Sequence, residues 1–557
     1  MQTNTIRRLC PCHLVSLLCL VLAPAILAQQ RPRFEVVVPE TAHGRAITGR
    51  AYVILSRSAS SDLRGDFGSP DQPDPFFGQD MSQVTAGQTT VIDAANNGYP
   101  LRSLRDLPPG DYFVQALVNV YTRFPRADGH VIWAHMDQWE GQQLNLSPGN
   151  LYSDVQHVHL DPAQGFNIRL EASHVIPPVA VPRDTPWVKH IRLQSQLLTK
   201  FWGHPIYIGA TILLPKDYAQ HPQQDYPVIY EQGHFTLGAP LSMLMQPGTS
   251  NNAGEQEAYR NFEAWSGPHF PRMIAVTFQH PTPYYDDSYA VNSANNGPYG
   301  DALMEELIPY VESHFRIIRE PWARVLTGGS TGGWESLALQ LYHPAFFGGT
   351  FTGYPDPIDF RHYQLVNIYQ DPNAFQAPDS PMQRERPFTR NDEGQVQATE
   401  RQTSQLEEAL GTHGRSGQQL DAWVSVFAPM ERDGYPQPLW NLQTGRIDPK
   451  VATYMRDHGY DLRAYLAKNW PRIGPQLTGK VFLWVGDMDS YYLNLAVYDV
   501  DVFFRSHPEA HAQFTYGRPE KGHGWTPWSK PELIRMIARH MEKSAPADTN
   551  IRGWYEP

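Results

Sequence analysis

Cysteine is the residue that this sequence lacks most conspicuously. The chain has three cysteines, and all of them lie near its start, at Cys10, Cys12 and Cys19. If that segment is removed, no thiol is left for a disulfide, a cysteine-ligated metal or a cysteine nucleophile. The sequence therefore excludes a cysteine protease, and we predict a protein with neither a metal nor another cofactor.

Long apolar runs are also scarce, and the one that stands out is at the N-terminus. Residues 14–27 are mostly apolar, Arg7 and Arg8 precede them, and Ala28 follows. The run is shorter than the ~20 residues that a membrane span requires. A basic start, a short apolar core and a small final residue are typical of a signal peptide. We therefore predict a signal peptide over residues 1–28, export to the periplasm or beyond, and no membrane span after processing; a single-span anchor is the alternative.

Basic residues are fewer than acidic residues. The chain has 45 Lys and Arg against 57 Asp and Glu, and its net charge of −12 becomes −14 when two leader arginines are removed. This balance disfavours nucleic acid and anionic membranes as partners. The length of 557 residues predicts two or three domains rather than one.

The pattern of predicted secondary structure changes near residue 183. Between residues 29 and 183, short β-branched and aromatic runs alternate with turns and show no helical periodicity, which predicts an all-β sandwich domain. A proline-rich connector follows at 175–186. Strands then alternate with helices over 184–545, which is typical of an α/β domain with a doubly wound, mostly parallel sheet.

Inside this α/β region, residues 359–479 interrupt the alternation with polar sequence. We predict that they form a helical cap or lid inserted into the sheet, with a simple spacer as the alternative. The segment 400–410 has the pattern of an exposed helix. Residues 546–557 are predicted to form a C-terminal tail.

The most informative motif is the turn at 328–332, Gly-Gly-Ser-Thr-Gly, which fits G-x-S-x-G. In a nucleophile elbow with this spacing, a serine projects from a strained turn between a strand and a helix. The flanking glycines are required because side chains there would collide with the strand and the helix. An apolar run at 323–326 and a helix-forming run at 334–342 supply that context. We predict Ser330 as the nucleophile, although the motif alone also fits an ordinary glycine-rich turn.

A serine nucleophile needs a base, and the base needs an orienting acid. Elbow hydrolases place the acid and then the histidine after the serine in the chain. Asp489 follows an apolar strand at 481–485, and His523 lies between two glycines in a loop before the last helix. We predict these two as the acid and the base, with Asp487 on the same turn as the competing acid.

The remaining site predictions concern the oxyanion hole and the substrate. Two backbone N–H groups must face the developing negative charge, and we assign one to Thr331 and the other to His234 or Phe235, in the loop after 226–230. The side chain of His234 contacting the substrate is an alternative. Three tryptophans close in sequence to the triad are candidates for a substrate pocket, with ordinary packing as the alternative: Trp334, Trp525 and Trp528.

Together these motifs resemble the esterase D-like and feruloyl-esterase-like group of the α/β-hydrolase superfamily, which also includes siderophore-esterase-like enzymes and mycolyltransferases. The resemblance covers roughly residues 190–545 and is carried by 226–234, 299–310, 328–333 and 522–525. It implies an α/β-hydrolase fold with a Ser-Asp-His triad. The chain departs from the group in the oxyanion loop, where Gln232-Gly233 replaces the usual His-Gly.

The sequence thus predicts an exported serine hydrolase that cleaves a small-molecule or polymer-linked carboxylic ester through an acyl-enzyme. A serine peptidase and an acyltransferase share the same machinery and stay open as alternatives. A binding protein with a silent hydrolase domain is a further alternative, which the ordered triad disfavours. The sequence makes no prediction of the oligomeric state.

Overall fold

The computed structural model describes residues 31–65, 67–68, 74–248, 252–377 and 384–549. The predicted signal peptide at 1–28, its three cysteines and residues 550–557 of the predicted tail lie outside the described residues. Within those ranges, we find no helix with the length and apolarity that crossing a membrane requires.

The first part of the chain is built from strands in two main sheets. One sheet has the order β11-β1-β4, and the other has the order β12-β9-β6-β2-β3-β5 with β10 also paired to β6. Side chains two residues apart share one face of a strand, so Phe34 and Val36 of β1 pack with Val53 of β2 and Val114 of β6 in a common core. The strands are β1 (Arg33–Val37), β2 (Ile47–Ser56), β3 (Phe76–Val84), β4 (Thr89–Asp93), β5 (Gly98–Tyr99), β6 (Gly110–Val120), β7 (Thr122–Pro125), β8 (Val131–Ala134), β9 (Leu151–Tyr152), β10 (Gln156–Leu160), β11 (Asn167–Glu171) and β12 (His174–Val175).

The second part alternates strands and helices. Its strands are β13 (Val188–Ser195), β14 (Ile206–Leu213), β15 (Val228–Gln232), β16 (Ile274–Gln279), β17 (Asn292–Ser293), β18 (Gly297–Pro298), β19 (Arg324–Gly329), β20 (Gly349–Gly353), β21 (Pro387–Arg390), β22 (Val396–Thr399), β23 (Val481–Gly486) and β24 (Gln513–Gly517). Its helices are α1 (Gln196–Trp202), α2 (Ala253–Trp265), α3 (Tyr299–Asp301), a π-helical segment (Ala302–Leu307), α4 (Ile308–His314), α5 (Thr331–Tyr342), α6 (Glu400–Leu410), α7 (Gln419–Phe427), α8 (Pro449–Asp457), α9 (Leu462–Ile473), α10 (Asn494–Arg505) and α11 (Lys530–Ser544).

An eight-stranded sheet organises this second part, in the order β13-β14-β16-β15-β19-β20-β23-β24. The first two pairings are antiparallel, and the other five are parallel. The prediction of a mixed α/β protein is confirmed. Because parallel strands end at the same edge of a sheet, the loops after β15, β19, β20, β23 and β24 meet there.

Residues between β20 and β23 contain α6 to α9 and the β21–β22 hairpin. The prediction of an exposed helix at 400–410 is wrong, because most of α6 is buried against the first part of the chain. The buried Arg50 guanidinium of β2 donates to the carbonyl oxygen of Ala409 at 2.9 Å, and the Tyr52 hydroxyl donates to that of Leu410. These side chains satisfy carbonyl groups that the end of a helix leaves without an internal partner.

Candidate active site

Ser330 lies at the sharp turn between β19 and α5. Its backbone has φ 58° and ψ −124°, which is a strained combination for any residue with a side chain. A Cβ on Gly332 would lie 2.1 Å from the carbonyl oxygen of Gln232, and one on Gly328 would lie 2.2 Å from that of Gly332. Both glycines of the motif are therefore required by close backbone packing, as the sequence reasoning assumed.

The hydroxyl of Ser330 contacts a carboxylate that the sequence reasoning missed. Its Oγ donates to Oδ1 of Asp356 at 3.3 Å. Asp356 lies three residues beyond the end of β20, the strand next to β19. The position of a carboxylate at the carboxyl end of a neighbouring parallel strand was the signal in the sequence that could have identified it.

Asp489 and His523 are joined by a hydrogen bond of 2.8 Å between Oδ2 and Nδ1. Because a carboxylate can only accept, Nδ1 carries the proton and Nε2 is left free to accept another. The side chain of Asp489 is fully buried, and its Oδ1 accepts from the backbone N–H groups of Tyr491 at 2.9 Å and Leu493 at 3.3 Å. The carboxylate is thus fixed on both oxygens.

Asp487 has different partners. It accepts from the Tyr498 hydroxyl at 2.7 Å and pairs with Arg518 at 2.8 Å. Of the two candidate acids, Asp489 is the one in contact with His523. Arg390 of β21 donates to the backbone carbonyl oxygen of Asp489 at 3.0 Å, so the segment before β23 also holds the acid loop.

The ring of His523 is oriented by two tyrosines and by its glycine neighbours. Tyr354 and Tyr491 each approach it edge to face, with ring centroids 4.9 Å away. A Cβ on Gly522 would lie 1.9 Å from Oδ1 of Asp392, and Gly524 has φ +82°. The positive φ favours glycine at 524, whereas the neighbour at Gly522 is the end of the Asp392 side chain, which can move.

Ser330 and His523 line one cavity of about 380 Å³. Among the hydrogen bonds of the described ranges, none joins the two side chains; the serine instead donates to Asp356. Many of the other lining residues come from the segment between β20 and β23: Gln364, Phe388, Thr403, Leu406, Glu407, Gln418, Gln419 and Trp423. That segment therefore forms much of the wall facing the serine.

Of the predicted oxyanion residues, Thr331 follows the serine directly and His234 lines the same cavity as the serine. Thr331 begins α5, so its N–H has no acceptor within the helix, and its hydroxyl donates to Asp356 at 2.9 Å. His234 lines the cavity, and the ring of Phe235 lies against Gly141. The N–H groups of 234 and 235 have no partner among the hydrogen bonds of the residues that the structure describes.

The three tryptophans do not line this cavity. Trp334 is fully buried and packs on Tyr289 and Phe427. Trp525 and Trp528 pack on the hydrophobic core beside α11 instead. The three side chains thus pack against apolar neighbours, which is the alternative that the sequence left open.

His234 is held by two acidic side chains at the edge of the cavity. Its Nδ1 lies 3.1 Å from Asp286 and 3.0 Å from Asp287. Burial lowers the pKa of His234, but the two carboxylates outweigh burial and raise that pKa well above its usual value. One donor atom from each residue lies within 4.8 Å of the others, a spacing that can also hold a metal ion. The hydrogen bonds from Nδ1 of His234 already explain why the two carboxylates lie close to the ring. We therefore interpret the cluster as an ion pair rather than a metal site.

A second buried acid lies behind this cluster. Glu335 of α5 is fully buried, and its carboxylate oxygens have no hydrogen-bond donor within the described ranges. Burial, and then the charge of Asp287, raise the pKa of Glu335 well above its usual value. Burial also raises the pKa of Asp287.

Residues 207–408 match the family model described as "Putative esterase". This segment is therefore similar to the esterase family. The matched residues include the elbow and the loop after β15 but end before Asp489 and His523. The predicted resemblance is confirmed, and so is the predicted class of enzyme, a carboxylic ester hydrolase. No curated protein matches the chain in a sequence comparison.

Several solved structures align with this chain at low similarity. A ferulic acid esterase aligns with a TM-score of 0.33 and 16% identity, over 63% of this chain and 98% of that chain. An S-formylglutathione hydrolase from Agrobacterium tumefaciens aligns at 0.32 and 13%, over 66% and 99%. A ferulic acid esterase from Anaeromyces mucronatus in complex with ferulic acid aligns at 0.29 and 13%, over 64% and 92%.

Proposed function

We propose that the protein is an exported serine esterase that cleaves a carboxylic ester through a Ser330-Asp489-His523 triad and an acyl-enzyme. In this proposal the chain has an α/β-hydrolase domain over 184–545, into which residues 359–479 are inserted as a cap. An all-β sandwich over 29–183 precedes it. The substrate is a small-molecule or polymer-linked ester.

One observation carries the proposal. The Asp489–His523 pair, joined at 2.8 Å, opens onto the same cavity as a serine whose φ of 58° raises it above the end of β19. A carboxylate, an imidazole and a hydroxyl in this arrangement perform acyl transfer on unrelated folds. Strained backbone at a residue with a side chain is typical of functional sites, and a nucleophilic role accounts for the strain at Ser330.

Acylation begins when the Ser330 hydroxyl leaves Asp356 and turns to Nε2 of His523. Nε2 takes the proton while Oγ forms a bond to the ester carbonyl carbon, and Asp489 stabilises the resulting imidazolium through Nδ1–H. The carbonyl oxygen becomes an oxyanion, which accepts from the N–H of Thr331 and from the N–H of 234 or 235. The tetrahedral intermediate then collapses, and His523 gives its proton to the departing alcohol.

Deacylation repeats these steps with water as the nucleophile. His523 takes a proton from the water, the hydroxide forms a bond to the acyl carbon, and the ester bond to Ser330 breaks. The serine recovers its proton from the imidazolium. The products are a carboxylic acid and an alcohol, and the residues return to their starting protonation states.

The test of the nucleophile uses a fluorophosphonate probe and short p-nitrophenyl esters. Protein lacking residues 1–28 is expected to be labelled and to release p-nitrophenol, whereas Ser330→Ala should do neither. Ser242→Ala is a matched control, because Ser242 is exposed in the neighbouring loop and also has a positive φ, of 53°. Equal labelling of wild type and Ser330→Ala would reject the nucleophile, and cleavage of peptide amides without ester turnover would favour a peptidase.

Export is tested separately from catalysis. Expression of the full chain with its leader should yield a periplasmic or extracellular product whose first residue is Gln29. A product that stays with the membrane and keeps its leader would indicate an anchor instead.

A further inference from the structure

The two oxygens of Asp356 have unequal surroundings. Oδ2 accepts hydrogen bonds from four donors: the Tyr289 hydroxyl at 2.6 Å, the Thr331 hydroxyl at 2.9 Å, the Gln419 amide at 3.0 Å and the Trp423 indole at 3.3 Å. Among the residues that the structure describes, Oδ1 accepts from Ser330 alone, at 3.3 Å. Five converging donors suit a carboxylate, which only accepts.

The proposed mechanism removes the partner of Oδ1. Ser330 has one proton, and acylation requires it to be directed at His523 rather than at Asp356. Asp356 is only 4% exposed, so the oxygen that is left lies in a mostly buried position on the cavity wall. A buried acceptor without a donor is costly. A substrate that brings its own donor to Oδ1 would remove that cost during the reaction.

Distance limits where that donor can be. Oδ1 is 3.3 Å from the serine Oγ that attacks the carbonyl carbon. Asp356 also lines the cavity of about 380 Å³ in which the substrate must lie. A hydroxyl or N–H on the carbon next to the ester carbonyl is only two bonds from the carbon that Ser330 attacks. Such a donor is therefore within hydrogen-bond reach of Oδ1 of Asp356, which lies beside the attacking Oγ.

We propose that Asp356 is a specificity residue that selects acyl groups with a hydroxyl or an N–H on the carbon next to the ester carbonyl. This inference rests on the proposed esterase function and names its substrate class. The donor replaces Ser330 as the partner of Oδ1, and the serine is thereby released toward His523. Esters without such a donor leave Oδ1 unpaired and react more slowly.

The surrounding charges are compatible with this role. Burial raises the pKa of Asp356, while the hydrogen bonds from Tyr289 and Thr331 and the charges of His234 and His523 lower it. Burial outweighs these effects, so the pKa of Asp356 lies above its usual value. The neutral donors Tyr289 and Thr331 fix Oδ2, so that rotation of the carboxylate cannot hide Oδ1.

The test compares p-nitrophenyl 2-hydroxybutyrate, 2-methoxybutyrate and butyrate on the wild-type protein. Each kcat/KM is divided by the rate of hydroxide hydrolysis, which removes differences in intrinsic reactivity. The hydroxy ester is expected to exceed the methoxy ester by about 10- to 100-fold, the range for leaving one buried acceptor unpaired. Equal corrected values would overturn the inference while leaving the esterase function intact.

Asp356→Asn provides a second readout. The asparagine oxygen would take the four donors, and its NH₂ would face Ser330 and the substrate in place of Oδ1. The preference for hydroxy over methoxy should then fall at least about tenfold, whereas a purely structural role would slow all three esters alike and overturn the inference. If this variant does not fold, the inference is tested by the wild-type protein alone, through the ratio of its corrected kcat/KM values for the hydroxy and methoxy esters. Absence of turnover on every ester, together with absence of fluorophosphonate labelling, would instead reject the proposed function.

Discussion

Asp489→Asn is the substitution with the sharpest expected effect. Oδ1 of Asp489 accepts from two backbone N–H groups and Oδ2 accepts from His523. An asparagine can keep the backbone bonds only if its oxygen takes the place of Oδ1. Its NH₂ then faces Nδ1 of His523, which must become an acceptor, so the ring proton moves to Nε2. In that tautomer the histidine cannot take the proton of Ser330.

The magnitude follows from the loss of the base. Placing a triad histidine in the wrong tautomer costs about 10⁴-fold in kcat, which corresponds to about 5.5 kcal/mol of transition-state stabilisation. The free energy of unfolding should change by less than this amount, because the asparagine oxygen still accepts from the backbone N–H groups of Tyr491 and Leu493. We therefore expect a folded protein that binds substrate with little change in KM.

Asp487→Asn is the matched control. Asp487 lies two residues away on the same turn, but its partners are Tyr498 and the mostly exposed Arg518. Loss of an exposed ion pair is worth at most about 1 kcal/mol, so activity should stay within about fivefold of wild type. The assay is p-nitrophenyl acetate hydrolysis with circular dichroism on each variant. Comparable losses in the two variants, or a larger loss in Asp487→Asn, would refute the assignment of Asp489.

Three other predictions address the frame of the site. Gly332→Ala should abolish activity and lower Tm, because its Cβ would lie 2.1 Å from the oxygen of Gln232; normal activity would contradict the elbow packing. The pKa of His234 is raised in the fold, so its ion pair stabilises fully below about pH 6.5 and less as pH rises through the raised pKa. The Tm difference between wild type and His234→Asn should therefore shrink in alkaline buffer, and a constant difference would contradict the ion pair with Asp287. Arg50→Ala should destabilise the fold by about 2 kcal/mol and raise KM, while an unchanged KM would show that α6 holds its place unaided.

The elbow could be predicted from sequence because its requirements are local. Gly328 and Gly332 are fixed by contacts within the turn and with β15, so the spacing around Ser330 alone carries the information. The order of the acid and the histidine follows from strand order in such a sheet. The pairing of His523 with Asp489 rather than Asp487 depended on where the two side chains point, which adjacent sequence positions do not reveal.

The wall of the cavity could not be predicted in the same way. Asp356 is surrounded by donors from three separate stretches of chain, including Tyr289 and Trp423, and no local pattern connects them. Helix α6 had the composition of a solvent-facing helix. Its buried Glu407 is accommodated by backbone N–H groups of α7, and those contacts exist only after the segments have packed.

The contacts of Arg50 and Tyr52 with the end of α6 join positions more than 350 residues apart in the chain, as the separation of 359 between Arg50 and Ala409 shows. The same helix carries Thr403, Leu406 and Glu407 into the cavity. We therefore expect that neither half of the molecule can be exchanged by recombination, or altered in laboratory evolution, independently of the other. A chimera that exchanges the first half would lose the support of its own pocket wall, and selection for new ester substrates should recover substitutions on β2, far from the serine.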